Sequence, residues 1–160
     1  MKKEVHWKSS FEEWNVVDLD LVEQDLLKAA HAACQHAYAP YSDFRVGSAV
    51  LLASGRTVVG SNQENMAYPS GLCAERVAFF SAGAQFPDEA IVAAAVVTDT
   101  SMAMEHFSPC GGCRQVMVES EFRQNQPIRF LMQAGDGSVL VSPDVVRFLP
   151  LAFQLPLKKS

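Results

Sequence analysis

The chain has 160 residues, 49% apolar and 19% charged, with a formal net charge of -5, a balance that suits one soluble domain with a real core. It carries neither a basic run to track a phosphate backbone nor an apolar run long enough to span a bilayer, so nucleic acid and membrane are not expected as partners. Met1 to Trp7 mixes charges with few apolar residues and does not read as a signal peptide, so the four cysteines are expected reduced in a cytoplasm, bound to metal or catalytic rather than paired as disulfides.

Residues 1–19 are polar and aromatic without a period and are expected to form an extended N-terminal arm, with 20–160 as a single domain. Asp20 and Glu23 have capping-box spacing, and Leu21, Val22, Leu26, Ala29, Ala30, Ala33 and Ala37 follow as an apolar stripe. This predicts a helix that stops near Tyr38, because Pro40 disfavours helical geometry in the residue before it. Two apolar runs, Val46 to Ala53 and Thr57 to Val59, flank Ser54-Gly55 and predict an antiparallel hairpin. Residues 61–72 hold Asn62, Glu64, Asn65, Tyr68, Pro69 and Gly71 without a period, and are expected to be a loop with a binding surface.

Ala74 to Ala84 predicts a second helix, and Ile91 to Thr98 a strand covered on both faces. A loop reaches Ser108, and a third helix is expected from Pro109 or Cys110. Ile128 to Met132 and Val139 to Val141 predict two more strands, separated by a turn at Asp136-Gly137, and Asp144 to Leu149 predicts a short terminal helix. Strands alternating with helices imply an α/β fold, a three-layer α/β/α sandwich over a mixed sheet of five strands.

Two stretches carry the chemistry: Cys73-Ala74-Glu75-Arg76 and Pro109-Cys110-Gly111-Gly112-Cys113. Both fall at expected helix N-termini, where the dipole and free N–H groups favour thiolates. Three soft ligands with a fourth position open describe a catalytic zinc site, since a structural site fills all four corners. Glu75 beside the open position can move protons for an activated water. Three thiolates over-neutralise the ion, so a donor to sulfur is needed, and either Arg76 or Arg114 could supply it. Cys110 and Cys113 taken alone also fit a thiol–disulfide oxidoreductase, but that motif requires neither a third cysteine nor a neighbouring glutamate. Cys34, among alanines, reads as a small buried hydrophobe. His106 as a fourth ligand would close the open position. His6, His31 and His36 read as surface or helix-face residues, and Asp18, Asp20 and Asp25 as capping or solvated charges.

The runs Tyr41-Ser42-Asp43-Phe44-Arg45-Val46-Gly47, Gly60-Ser61-Asn62-Gln63-Glu64-Asn65, Tyr68 to Arg76, and Ser108 to Gln115 closely resemble the cytidine deaminases. The similarity extends over roughly residues 20–155. The resemblance implies hydrolysis of cytidine and deoxycytidine to uridine and deoxyuridine with release of ammonia, in the salvage of free pyrimidine nucleosides. It implies that Cys73, Cys110 and Cys113 hold Zn²⁺, and that Glu75 carries a proton from water to N3 of the base and then to the departing amino group. It further implies that Asn62 and Glu64 hold the ribose 3′-hydroxyl, that Phe44 packs on the pyrimidine, and that the N–H of Ala74 binds the base carbonyl.

Tyr68 and Phe153 match positions that reach a neighbouring subunit's site in the short, homotetrameric members. The longer dimeric members carry a second domain for which 160 residues leave no room. Met66 departs from the family pattern, where a small residue is common, and is expected to narrow the pocket or alter the subunit contact. Rival readings are a deaminase of blasticidin S or a modified nucleoside, an editing deaminase of nucleic acid, the oxidoreductase above, and a non-catalytic zinc domain. Asn62 and Glu64 argue for a ribose, and the acidic balance argues against nucleic acid.

Overall fold

In a computed structural model, residues 2–135 and 137–155 are described. The capping box forms as the spacing predicts. The Asp20 carboxylate accepts from the Glu23 N–H at 2.8 Å, and the Glu23 carboxylate accepts from the Asp20 N–H at 3.4 Å. Helix α1 (Leu21–Cys34) starts there and buries Leu26, Leu27, Ala30, Ala33 and Cys34. It ends earlier than Pro40 alone requires. The Tyr38 N–H donates to the Asn62 carbonyl at 3.0 Å, and the Tyr38 carbonyl accepts from the Glu64 N–H at 2.8 Å. Pairing with the 62–64 segment therefore takes the backbone that one more helical turn would use.

The chain continues through β2 (Val46–Leu52), β3 (Thr57–Ser61), α2 (Ala74–Gln85), β4 (Ile91–Thr98), α3 (Gly111–Gln124), β5 (Arg129–Ala134) and β6 (Val139–Ser142). One strand precedes them all: β1 (Glu12–Trp14). The sheet thus has six strands, in the order β1-β6-β5-β4-β2-β3, where five were expected. The additional strand comes from the expected arm, pairing Glu12, Glu13 and Trp14 with Val141, Leu140 and Val139. Three residues are too few to show a hydrophobic period, and their partner is far away in sequence. Of the neighbouring strand pairs, β4 and β5 run parallel and the others antiparallel, so the sheet is mixed.

Strand alternation sorts the core into two layers. Ala93, Ala95, Val97, Leu131, Val139 and Val141 pack with Leu26, Leu27 and Cys34 of α1. On the other face, Ala94, Val96, Phe130 and Met132 pack with Ala78, Phe79, Met117 and Val118 of α2 and α3. That is the expected three-layer sandwich, and Cys34, fully buried, is part of its core.

Two glycines let the helices lie directly on the sheet. A Cβ on Gly47 would stand 2.0 Å from the Ala30 carbonyl oxygen, and one on Gly60 would stand 2.5 Å from the Ala78 nitrogen and 2.7 Å from the Ala74 oxygen. The 61–72 segment is more ordered than a loop, with Gln63 bridging both Tyr38 and Leu72 and a 3₁₀ turn at Tyr68–Ser70. The expected terminal helix is a single 3₁₀ turn, Val146–Phe148. Of the turn expected at Asp136-Gly137, Asp136 lies outside the described residues. No helix among the described residues is long and apolar enough to cross a membrane.

Candidate active site

Cys73 and Cys110 are the N-cap residues of α2 and α3, and Cys113 lies in the first turn of α3. Helix packing on one face of the sheet brings the two starts together. The Cys73 and Cys110 sulfurs are 3.8 Å apart, the Cys110 and Cys113 sulfurs 3.4 Å, and all three lie within 4.8 Å of one another. Zinc–sulfur bonds of about 2.3 Å in a tetrahedron place sulfurs about 3.8 Å apart, so the trio fits one zinc ion with a fourth corner open. His106 lines the neighbouring cavity but is not among the clustered ligand atoms.

Arg76 serves as the donor to sulfur. One of its terminal nitrogens lies 3.9 Å from the Cys73 sulfur, and its Nε is buried without a hydrogen-bond partner among the described residues. A half-buried cationic donor on one of the three sulfurs suits a thiolate-rich ion site. Arg114 does not fill that role: it bonds Pro109, Ser108 and Phe148 instead. Hydrogen bonding within the trio, from Cys113 foremost and then from Arg76, draws the Cys73 thiol down to about 5. The same sharing pushes Cys113 up.

Glu75 is buried in the first turn of α2, next to Cys73. Burial pushes its carboxyl up to about 7, and the Cys73 charge adds to the rise, while its own backbone N–H, the Cys113 thiol and Arg76 pull it back. A carboxyl tuned so close to neutrality can both take and give a proton.

These groups open into a cavity of about 580 Å³. Phe44, Asn62, Glu64, Tyr68, Cys73, Ala74, Glu75, Arg76 and Cys110 all line it. Phe153 does not: the residue is 70% exposed, and its backbone is clasped by the Gln115 side chain at 2.8 and 3.1 Å. Met66 is 86% exposed and does not line the cavity, so it does not narrow the pocket. Its side chain is exposed to solvent, as are Asn65 and Ala67 on either side of it.

Both expected ribose-binding side chains are braced by the chain. The Asn62 amide accepts from the Val46 N–H at 2.8 Å and donates to the Phe44 carbonyl at 2.9 Å. Glu64 accepts from the Tyr41 N–H at 2.8 Å, the Ser42 N–H at 3.3 Å and the Ser42 hydroxyl at 2.5 Å. Those donors, the Ser42 hydroxyl first, hold the Glu64 carboxyl below its usual value. Sequence reasoning gave Ser42 no role of its own, although a serine two residues before Phe44 is the spacing of a side-chain-to-backbone turn. Phe107 and Ser108 also line the cavity; Ser108 opens a run that resembles the family but was given no role, and Phe107 carried no signal.

An open three-sulfur centre with a buried proton carrier, set between two helix starts on a mixed α/β/α sandwich, defines a zinc-dependent hydrolase. Residues 22–126 match the family described as the cytidine and deoxycytidylate deaminase zinc-binding region, and the chain belongs to that family. Among curated relatives, a cytidine deaminase of Halalkalibacterium halodurans is 46% identical over 96 residues, which is 60% of this chain and 70% of the relative. One of Sporosarcina psychrophila is 38% identical over 130 residues, 81% of this chain and 90% of the relative. A crystal structure of cytidine deaminase from Burkholderia pseudomallei superposes with a TM-score of 0.71 at 39% identity, covering 81% of this chain and 97% of that one. With three sulfurs converging instead of two and these relatives, the deaminase reading stands over the oxidoreductase.

Proposed function

We propose that the enzyme hydrolyses cytidine and deoxycytidine to uridine and deoxyuridine with release of ammonia. The observation that carries this reading is the placement of Glu75, buried beside the sulfur trio and lining one cavity with two of the three sulfurs. Zinc held by Cys73, Cys110 and Cys113 supplies the Lewis acidity that activates the attacking water.

Glu75 takes the proton that water gives up, delivers it to N3 of the pyrimidine and protonates the departing amino group at C4. Its carboxyl near 7 suits that exchange. The Ala74 N–H, in the first turn of α2 and without an intrahelical acceptor, holds the base carbonyl oxygen. Phe44 packs on the base. Asn62 keeps one amide hydrogen and Glu64 keeps acceptor capacity on Oε1 beyond the bonds described, so both reach a ribose hydroxyl. The Glu64 charge repels a nearby phosphate, which favours free nucleosides over nucleotides.

Catalysis is assigned to a single domain spanning 20–160, with 1–19 as an arm fastened to its sheet. The assembly is a homotetramer in which Tyr68 and Phe153 complete neighbouring sites. Support comes from their exposure, 86% and 70%, with Tyr68 at the cavity and Phe153 away from its own. The enzyme works in the cytoplasm, in pyrimidine salvage, where its thiols stay reduced.

The test is absorbance-monitored deamination of cytidine by zinc-loaded protein, with ammonia release as a second readout and Glu75→Ala as control. Expected is rapid turnover that falls by about 10²–10⁴-fold or more in a variant that still folds and keeps zinc. No turnover of cytidine or deoxycytidine by folded, zinc-loaded parent protein would overturn the substrate assignment. A variant as active as the parent would overturn the role of Glu75.

A further inference from the structure

The three zinc ligands are not held equally. Cys113 is fully buried within α3, and Cys73 is half-buried with Arg76 against its sulfur. Cys110 is exposed, and as N-cap it makes no side-chain capping bond. Gly111 and Gly112 follow it, and a Cβ added at either would meet nothing within 4 Å. Pro109 before Cys110 is buried, but on the far side no side chain among the described residues pins the backbone that presents it.

Arg114 supplies what that stretch lacks. Its Nε donates to the Pro109 carbonyl at 2.7 Å, one Nη donates to the Ser108 hydroxyl at 2.8 Å, and the other donates to the Phe148 carbonyl at 3.2 Å. Its own N–H donates to the Cys110 carbonyl at 2.9 Å. Side chain and backbone of one residue thus close on both sides of the turn that delivers Cys110. The third bond ties the turn to Phe148, whose ring packs edge-on against Phe130 of the central sheet at 5.4 Å. A planar guanidinium reaches three fixed acceptors at once, whereas a lysine ammonium on a flexible stem does not reproduce that fork.

We propose that Arg114 is a positioning residue for the zinc site, its guanidinium fork holding the Ser108–Cys110 turn against the Val146–Phe148 turn so that Cys110 stays within ligand distance of Cys73 and Cys113. This rests on the three-sulfur zinc site and not on the identity of the substrate, so it stands or falls separately from cytidine turnover.

The experiment compares full-length parent, Arg114→Lys and Arg114→Ala. Zinc release to a chromogenic chelator is followed at neutral pH, and the thiolate-to-metal bands of the cobalt-substituted proteins are recorded. Loss of partners around metal ligands typically costs about 10–100-fold in metal affinity. Both variants are expected to release zinc faster by that order, and both to show a weakened thiolate band per bound cobalt. Arg114→Lys keeps the charge and stem, so it decides alone where Arg114→Ala does not fold. A lysine variant with parental zinc release and a parental cobalt spectrum would overturn the proposal. So would variants whose metal-free melting temperature drops while both metal readouts stay parental, because that result describes a role in folding only.

Discussion

Ser42 donates its hydroxyl to Glu64 while accepting from the Phe44 N–H at 3.0 Å. One side chain thereby aligns the carboxylate proposed for the ribose and the ring proposed for the base. Asp43 between them sits at φ 55, a left-handed conformation that aspartate tolerates better than most residues. The Glu64 carboxyl is lowered in the folded chain, so its contribution is present above the ordinary carboxylate range. It is lost as pH falls through the lowered value. Losing the Ser42 donor loosens the carboxylate proposed for the ribose, so Ser42→Ala is expected to raise KM for cytidine several-fold with a smaller change in kcat. Glu64 should titrate closer to an ordinary carboxylate. Steady-state kinetics and a carboxyl NMR titration check the two halves; an unchanged KM would remove Ser42 from the pocket's support.

Helix α2 carries Cys73 at its start and lies on β3 because Gly60 has no side chain. Gly60→Ala would set a methyl 2.5 Å from the Ala78 nitrogen and 2.7 Å from the Ala74 oxygen, both backbone atoms that cannot swing aside. Overpacking of this kind costs about 1–3 kcal/mol, read as a lower denaturation midpoint. Displaced α2 also moves Cys73, so zinc release should quicken in the same variant. The N-terminal arm acts as an element of a different kind. It adds β1 to the sheet edge, sets the Phe11 ring 5.0 Å from Phe148, and bonds Ser9 and Ser10 to Arg147. Aromatic pairs contribute about 0.5–1.5 kcal/mol beyond their area. Phe11→Ala is expected to lower stability by about 1 kcal/mol, measured by denaturant unfolding, while cytidine turnover remains.

At the scale of the whole molecule, zinc held by Cys73, Cys110 and Cys113 would join the starts of α2 and α3, two helices on one face of the sheet. An ion that binds the folded chain and not the unfolded one stabilises it by about 4 kcal/mol at a thousandfold excess over Kd. Chelation is expected to abolish turnover and lower the melting temperature together, and added zinc to restore both. The proposed assembly makes a separate prediction. Phe153→Ala chains lack the donated ring, and Glu75→Ala chains lack the proton carrier. Mixing the two should regain activity if the ring comes from a neighbouring subunit. Mixed chains no more active than the Phe153→Ala protein alone would overturn donation of Phe153 by a neighbouring subunit.

The sequence by itself determined the capping box of α1, the hairpin, the doubly covered strand β4 and the two cysteine stretches at helix starts. Each of these is a short-range pattern: spacing along a helix, alternation along a strand, or ligands separated by one turn. The tertiary structure decided the sixth strand, the early end of α1, the partners of the two arginines and the outward placement of Met66 and Phe153. Those depend on contacts between segments far apart in sequence. Arg114 meets Phe148 and Glu12 meets Val141, and no local pattern records which distant group a side chain or strand edge will find.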